Sequence, residues 1–184
     1  AFLLPLIVAT LRLRPQKITT GAVSPTCVIL TPTQELCQQI AEEARRISFR
    51  SAARIVQVSG GSSGMVQLKQ LAEGAQIAVC TPGRLKDFID RRLISMKSVK
   101  HLVLDEADML LEMGFQEEIE GIIEEDMRPS GKGRGKGLCQ TLMFSATFPS
   151  EVQDLALDFL DDSHVWVGIG NIGTGAPSVE QRFV

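Results

Sequence analysis

The chain has 184 residues, 44% of them hydrophobic and 22% charged, and its 19 basic and 22 acidic side chains leave a net charge of −3. That length suits one compact domain with a real core, and the composition excludes a disordered chain, a collagen-like repeat or a coiled coil. The mildly acidic balance, with a pI near 5.5, also excludes the overall basic footprint of a dedicated nucleic-acid-binding domain, so any such contact must come from local patches.

The opening run Ala1–Leu11 is apolar but broken by Pro5, and it falls short of the roughly 20 residues that cross a bilayer. It has neither the cationic start nor the small-residue cleavage site of a secretory signal. The expectation is an intracellular protein, in the cytoplasm or the nucleus, with no membrane partner. Cys27, Cys37, Cys80 and Cys139 show no CxxC spacing, and His101 and His164 stand far apart. Reduced core or near-core thiols are expected, not a zinc site.

Further along, short apolar runs alternate with amphipathic stretches. The runs Cys27–Leu30, Ile55–Val58, Ile77–Cys80, His101–Leu104, Thr141–Phe144 and Val165–Val167 read as strands covered on both faces. Between them, helical patterns occupy Gln34–Ile47, Met65–Leu71, Leu85–Ile89, Phe115–Ile123 and Glu151–Leu160, with Ile119, Ile122 and Ile123 forming one buried stripe. This rhythm predicts an α/β fold, a parallel sheet flanked by helices on both faces. Gly131–Gly137, where glycine alternates with Lys132, Arg134 and Lys136, reads as a solvated loop at the edge opposite the strand ends. Gly168–Gly173 matches GxGxxG, but Gly175 and Pro177 oppose the helix that a dinucleotide site needs. The glycine-rich stretch Asn171–Ser178 reads as a linker, which divides the chain into a domain over 1–170 and a connection over 171–184 toward a further domain.

Polar and glycine-rich clusters follow directly on five of the six strands: Thr31-Pro32-Thr33-Gln34-Glu35, Ser59-Gly60-Gly61, Thr81-Pro82-Gly83-Arg84, Asp105-Glu106-Ala107-Asp108 and Ser145-Ala146-Thr147. In a parallel sheet these positions share one edge, and ligands of open α/β sheets bind outside the carboxyl ends of the strands. Within that rim, an apolar strand ends in the adjacent carboxylates Asp105 and Glu106. This is the chemistry of a Walker B element, in which the first carboxylate holds Mg2+ through water and the second orients an attacking water.

At these residues the sequence resembles the DEAD-box RNA helicases. Asp105-Glu106-Ala107-Asp108 spells the family's name, and Pro32-Thr33-Gln34-Glu35-Leu36, Gly60-Gly61, Thr81-Pro82-Gly83-Arg84 and Ser145-Ala146-Thr147 stand in the family's order and spacing over nearly the whole chain. Met113-Gly114-Phe115 and the Ser145-Ala146-Thr147-Phe148-Pro149 run look most like the Vasa-like branch. The resemblance implies the first of two RecA-like domains, with ATP and RNA bound in the cleft between it and the second. Carried onto this chain, Asp105 would hold magnesium and Glu106 would position the water that attacks the γ-phosphate. Asp108 would hydrogen-bond Ser145 and Thr147, coupling hydrolysis to strand separation. Pro32, Thr33, Glu35, Gly60, Gly61, Thr81, Pro82, Gly83 and Arg84 would lie along the sugar-phosphate backbone of the RNA.

The chain departs from the family's pattern at three points. Gln34 stands where the family carries arginine, and Cys37 stands where it carries a small alanine, a swap that a core should accept. More consequentially, no Gly-x-x-x-x-Gly-Lys-Ser/Thr occurs, although an ATPase of this kind needs a P-loop to cradle its phosphates. Ala1-Phe2-Leu3-Leu4-Pro5 resembles the continuation of the family's P-loop helix, so the expectation is a RecA-like sheet that lacks its P-loop strand. In the family that strand lies between the strand before Ser145 and the strand Val165–Val167. Either residues upstream of Ala1 or a segment from another copy should fill the slot, and the fragment by itself should be inactive. Two functions remain: a catalytic domain of an ATP-dependent RNA helicase, or a non-catalytic RNA-binding or scaffold module that keeps the rim.

Overall fold

A computed structural model of the chain describes residues 2–13, 22–61, 64–123 and 139–169. Five strands, β1 (Cys27–Leu30), β2 (Ile55–Val58), β3 (Ile77–Cys80), β4 (His101–Leu104) and β5 (Gln140–Met143), form one parallel sheet in the order β2-β3-β1-β4-β5. The helices are α1 (Leu3–Arg12), α2 (Gln34–Ile47), α3 (Gly64–Ala72), α4 (Pro82–Asp90), α5 (Ala107–Glu112), α6 (Gln116–Gly121) and α7 (Ser150–Phe159), with a short 3-10 turn at Met96–Ser98. No helix among the described residues is long and apolar enough to cross a membrane.

The strand order explains how the helices divide between the two faces. From β1 the chain moves outward to β2, then reverses through β3 and past β1 to β4 and β5. Right-handed crossovers in opposite directions put their helices on opposite faces. One core accordingly packs α2 and α1 against Cys27, Ile29, Ile55, Ile77, Val79 and Val103. The other collects α3 to α7 over the alternate positions Val28, Leu30, Val56, Val58, Ala78, Cys80, Leu102 and Leu104. β1 and β3 are buried at every position, as strands covered on both faces must be. Ile119 and Ile122 are fully buried and Ile123 packs against them, the stripe read from their spacing.

The thiols sit as expected. Cys27, Cys37 and Cys80 are buried and Cys139 is partly so, and none forms a disulfide. Cys37 donates to the Val79 carbonyl at 3.2 Å, which accommodates it where a smaller residue is usual. Burial pushes Cys27 up to about 12 and Cys37 up to about 11, so both stay protonated and inert.

Two expectations are corrected. Val165–Val167 is no strand: the three residues are 84%, 55% and 73% exposed and pair with nothing in the sheet. An apolar triplet has no intrinsic strand stability without a neighbouring edge to bond, and Trp166 packs on Phe148 instead, ring centres 4.2 Å apart. β5 is consequently the sheet edge among the described residues, and it is only partly covered where continuous burial was expected. The segment Phe115–Ile123 is helical from Gln116 onward, α6 passing into π-helical geometry at Ile122 and Ile123, and it is preceded by α5, a helix that the apolar pattern did not reveal. The Lys132/Arg134/Lys136 loop, Gly170 to Gly173 of the GxGxxG match, and the linker over 171–184 lie outside the described residues.

The core makes an energetic distinction that mutation can read. Leu104, fully buried at the end of the interior strand β4, lies immediately before the carboxylate pair, whereas Leu157 on α7 is 63% exposed. Leu104→Ala is expected to cost about 2–5 kcal/mol. Leu157→Ala should stay within about 0.5 kcal/mol. Chemical denaturation of the two variants against the parent protein measures both.

Candidate functional site

Past four of the five strands, the next residue donates a backbone hydrogen bond to the neighbouring strand. Thr31 N–H donates to Cys80 O at 3.0 Å, Thr81 N–H to Val58 O at 3.0 Å, Asp105 N–H to Leu30 O at 3.0 Å and Phe144 N–H to Leu104 O at 2.9 Å. These rungs extend the ladder one residue past the ends of β1, β3, β4 and β5, so the segments after those strands leave the sheet at one level. Their lateral order is 59–61, 81–84, 31–35, 105–108 and 145–147.

The first three segments form one half of the rim. Thr33 caps α2 by accepting from the Leu36 N–H at 3.2 Å, and Glu35 sits in the same first turn, both favourable at the positive end of a helix. Pro82 occupies the first helical position of α4, where its fixed φ and missing N–H are tolerated. Glu35, Gly61 and Gly83 reach the surface, Thr33 and Gly60 are half-buried, and Pro32, Thr81 and Pro82 lie beneath it. Arg84 does not project outward. Its guanidinium lies 4.5 Å from the centre of the Phe88 ring and meets Asp87 at 3.3 Å, while its buried Nε has no hydrogen-bond partner.

The other half carries the carboxylates. Burial, and then the adjacent Glu106, raise the Asp105 carboxyl above its ordinary value. Glu106 takes a left-handed backbone conformation, φ 51° and ψ 56°, which is strained for a residue with a side chain. The following amide, Ala107 N–H, donates to Phe144 O at 2.9 Å and ties this turn to the end of β5. Asp108 Oδ2 accepts from both the Thr147 hydroxyl at 2.6 Å and the Thr147 N–H at 2.9 Å, and the Asp108 N–H donates to Ser145 Oγ at 3.2 Å. Partial burial pushes the Asp108 carboxyl up, but Thr147, Ser145 and the Met109 amide together outweigh it and hold the group below its ordinary value.

Some supporting residues escaped the sequence reading. Gln67, 3% exposed on α3, donates to Ser59 O at 2.7 Å, and Gln57 donates to Ser59 Oγ at 2.9 Å. Together they hold the start of the β2–α3 turn. A glutamine inside an amphipathic helix carries no mark that distinguishes it from a solvated one. The carboxamide of Gln34 lies against Gly60 and Gly61, and Arg84 lies against Gly64.

The arrangement suits a divalent cation: a half-buried carboxylate with a second negative charge beside it is costly until neutralised. The triphosphate is a different matter, because no P-loop sequence occurs in the 184 residues.

The Asp108 contacts give a pH test. A carboxyl whose value is lowered by folding contributes stability that is present above its unfolded value of about 3.9 and lost as pH falls through the folded value. The stability gap between the parent protein and Asp108→Asn should therefore be full at neutral pH and close progressively below about pH 4. Denaturation midpoints of both proteins across that range check it; a gap independent of pH would remove the ionised Asp108 as the anchor.

Comparison with known proteins follows the same lines. A family model described as DEAD/DEAH box helicase matches residues 1–155. The crystal structure of the yeast DEAD-box splicing factor Prp28 is similar at 30% sequence identity and a TM-score of 0.75, over 87% of this chain and 36% of that one. The chain thus spans well under two thirds of the length of that protein. With its RecA-like sheet and the Asp105-Glu106-Ala107-Asp108 signature at the end of β4, the chain belongs to the DEAD-box RNA helicase family.

Proposed function

We propose that the chain is the first RecA-like domain of an ATP-dependent RNA helicase, working with a second such domain to couple ATP hydrolysis to RNA binding and local unwinding. The observation that carries this reading is the single rim on which all five polar segments emerge, phosphate-binding types on one half and carboxylates on the other.

On the RNA half, recognition rests on the sugar-phosphate backbone. Thr33, Gly60, Gly61 and Gly83 offer hydroxyl and amide donors, and Arg84 offers the one cation among the residues assigned to RNA. Its guanidinium is already flattened on Phe88, so little side-chain freedom is lost when a phosphate replaces Asp87 as its partner. Such contacts fix register and carry no base information.

On the catalytic half, Asp105 would hold magnesium through water and Glu106 would accept the proton of, and aim, the attacking water. Bound magnesium would supply charge neutralisation at the phosphates. Asp108, joined to Thr147 and Ser145, links the carboxylate turn to the segment after β5. The triphosphate cradle must come from residues other than these 184. By itself the chain is expected to turn over no ATP and to bind RNA weakly at best. Met113-Gly114-Phe115 supports placement in the Vasa-like branch, and an intracellular RNA is the expected substrate.

In the full-length protein, Glu106→Gln should remove most ATP turnover and leave ATP and RNA binding largely intact, because the amide keeps the shape but not the basicity. Turnover and nucleotide affinity measured separately decide it, and unchanged turnover would take Glu106 out of its role. A full-length parent protein that binds RNA but turns over no ATP would favour the non-catalytic scaffold instead. Arg84→Ala should weaken single-stranded RNA binding alike for unrelated sequences and flatten its salt dependence by about one phosphate contact. A loss confined to one RNA sequence would point to base readout instead.

A further inference from the structure

The β2–α3 turn has a partner that its own sequence does not announce. A Cβ placed on Gly60 would stand 2.8 Å from Gln34 Nε2, and one placed on Gly61 would come closer still to Gln34 Oε1 and within 3.3 Å of its Cδ. The carboxamide therefore straddles the two bare glycines, nitrogen side over Gly60 and oxygen side over Gly61. Gly61 also has φ 72°, a conformation that glycine adopts without strain. The glycine pair and Gln34 fit each other: any side chain at 60 or 61 would occupy the space of the carboxamide.

Gln34 is the first residue of α2, exposed, and its stem is anchored next to the Thr33 cap. It comes from the segment after β1, whereas the glycines follow β2, and β3 stands between those strands in the sheet. The side chain thus spans the rim above β3 and joins two segments that share no strand ladder. On the far side of the same turn, Arg84 Nη2 lies 2.8 Å from the position a Cβ would take on Gly64. The turn is bracketed by a neutral amide and a cation.

We propose that Gln34 is a positioning residue: its carboxamide packs over the Gly60–Gly61 turn and fixes the turn's backbone for a phosphate of the RNA, acting by shape and contact and not by charge. This rests on the RNA-binding reading of the rim. It assigns the two rim side chains that touch the turn different duties, Arg84 supplying the charge that releases counterions and Gln34 supplying order.

The full-length protein tests this with two readouts. Hydrogen exchange at the Gly60 and Gly61 amides, without RNA, should be several-fold faster in Gln34→Ala than in the parent. Single-stranded RNA affinity should fall in Gln34→Ala, by less than about 10-fold because no phosphate contact is itself removed, with an unchanged salt slope, while Arg84→Ala flattens the slope. Gly60→Ala, whose methyl displaces the carboxamide, should weaken binding by a similar factor, and the double variant Gln34→Ala/Gly60→Ala no more than the weaker-binding single one. Unchanged exchange overturns the clasp whatever RNA does. Faster exchange with unchanged affinity, a flattened slope in Gln34→Ala, or multiplying penalties in the double variant overturn its role toward RNA. If the parent binds no RNA and exchange still responds to Gln34→Ala, the clasp stands as structure and the RNA-binding reading is what fails, taking the phosphate role with it.

Discussion

The rest of the molecule depends on the last rung of the parallel ladder. Past β1, β3, β4 and β5 the next residue donates one more backbone hydrogen bond to the neighbouring strand, at 2.9 to 3.0 Å. The net stabilisation from each such bond is only about 0.5–1.5 kcal/mol, and stability is not their main effect. Because a backbone amide can meet only one carbonyl at a time, each rung fixes where a loop starts to within a hydrogen-bond length. The loops after these strands, far apart in sequence, then begin from one plane, and their side chains meet without any loop being long or rigid by itself.

The order of strands turns that plane into two halves with a seam. Segments carrying Thr33, the glycines and Arg84 follow β2, β3 and β1, the carboxylates Asp105, Glu106 and Asp108 follow β4, and the hydroxyls of Ser145 and Thr147 that meet Asp108 follow β5. The seam runs between β1 and β4, where the Asp105 amide is bonded to Leu30 O. A shift of the Thr33 segment therefore bears directly on the residue that begins the carboxylate turn, through one covalent step on each side of a single hydrogen bond. On the outer side, Asp108 and Thr147 make the matching connection between the turn and the segment after β5.

Most of this was legible in the amino-acid order because buried parallel strands write themselves as unbroken apolar runs. Cys27–Leu30, Ile55–Val58, Ile77–Cys80 and His101–Leu104 appear at the boundaries their composition suggests. The fifth strand shifts by one residue, to Gln140–Met143, since hydrogen bonding begins at Gln140 before the apolar run does. Val165–Val167 shows the limit of that logic: hydrophobicity marks a segment that could pair, and pairing needs a second edge. α5 was missed because six residues are too few for a periodic pattern to stand out. Within the site, the carboxylates, glycines and Arg84 announce themselves by residue type. The side chains that hold them, Gln34, Gln57 and Gln67, do not, because an amide's role is set by what lies opposite it in space.

The left-handed backbone at Glu106 places two demands on one position that rank the amino acids in opposite orders. For the turn alone, glycine and asparagine would be the easiest residues and glutamate a poor one. For aiming a water, the role proposed for Glu106, a carboxylate at the end of a two-carbon stem supplies both reach and basicity. Under that proposal, fitness for folding and fitness for hydrolysis pull apart at residue 106, and a search that rewarded thermal stability alone would drift away from glutamate there while leaving the surrounding sheet untouched.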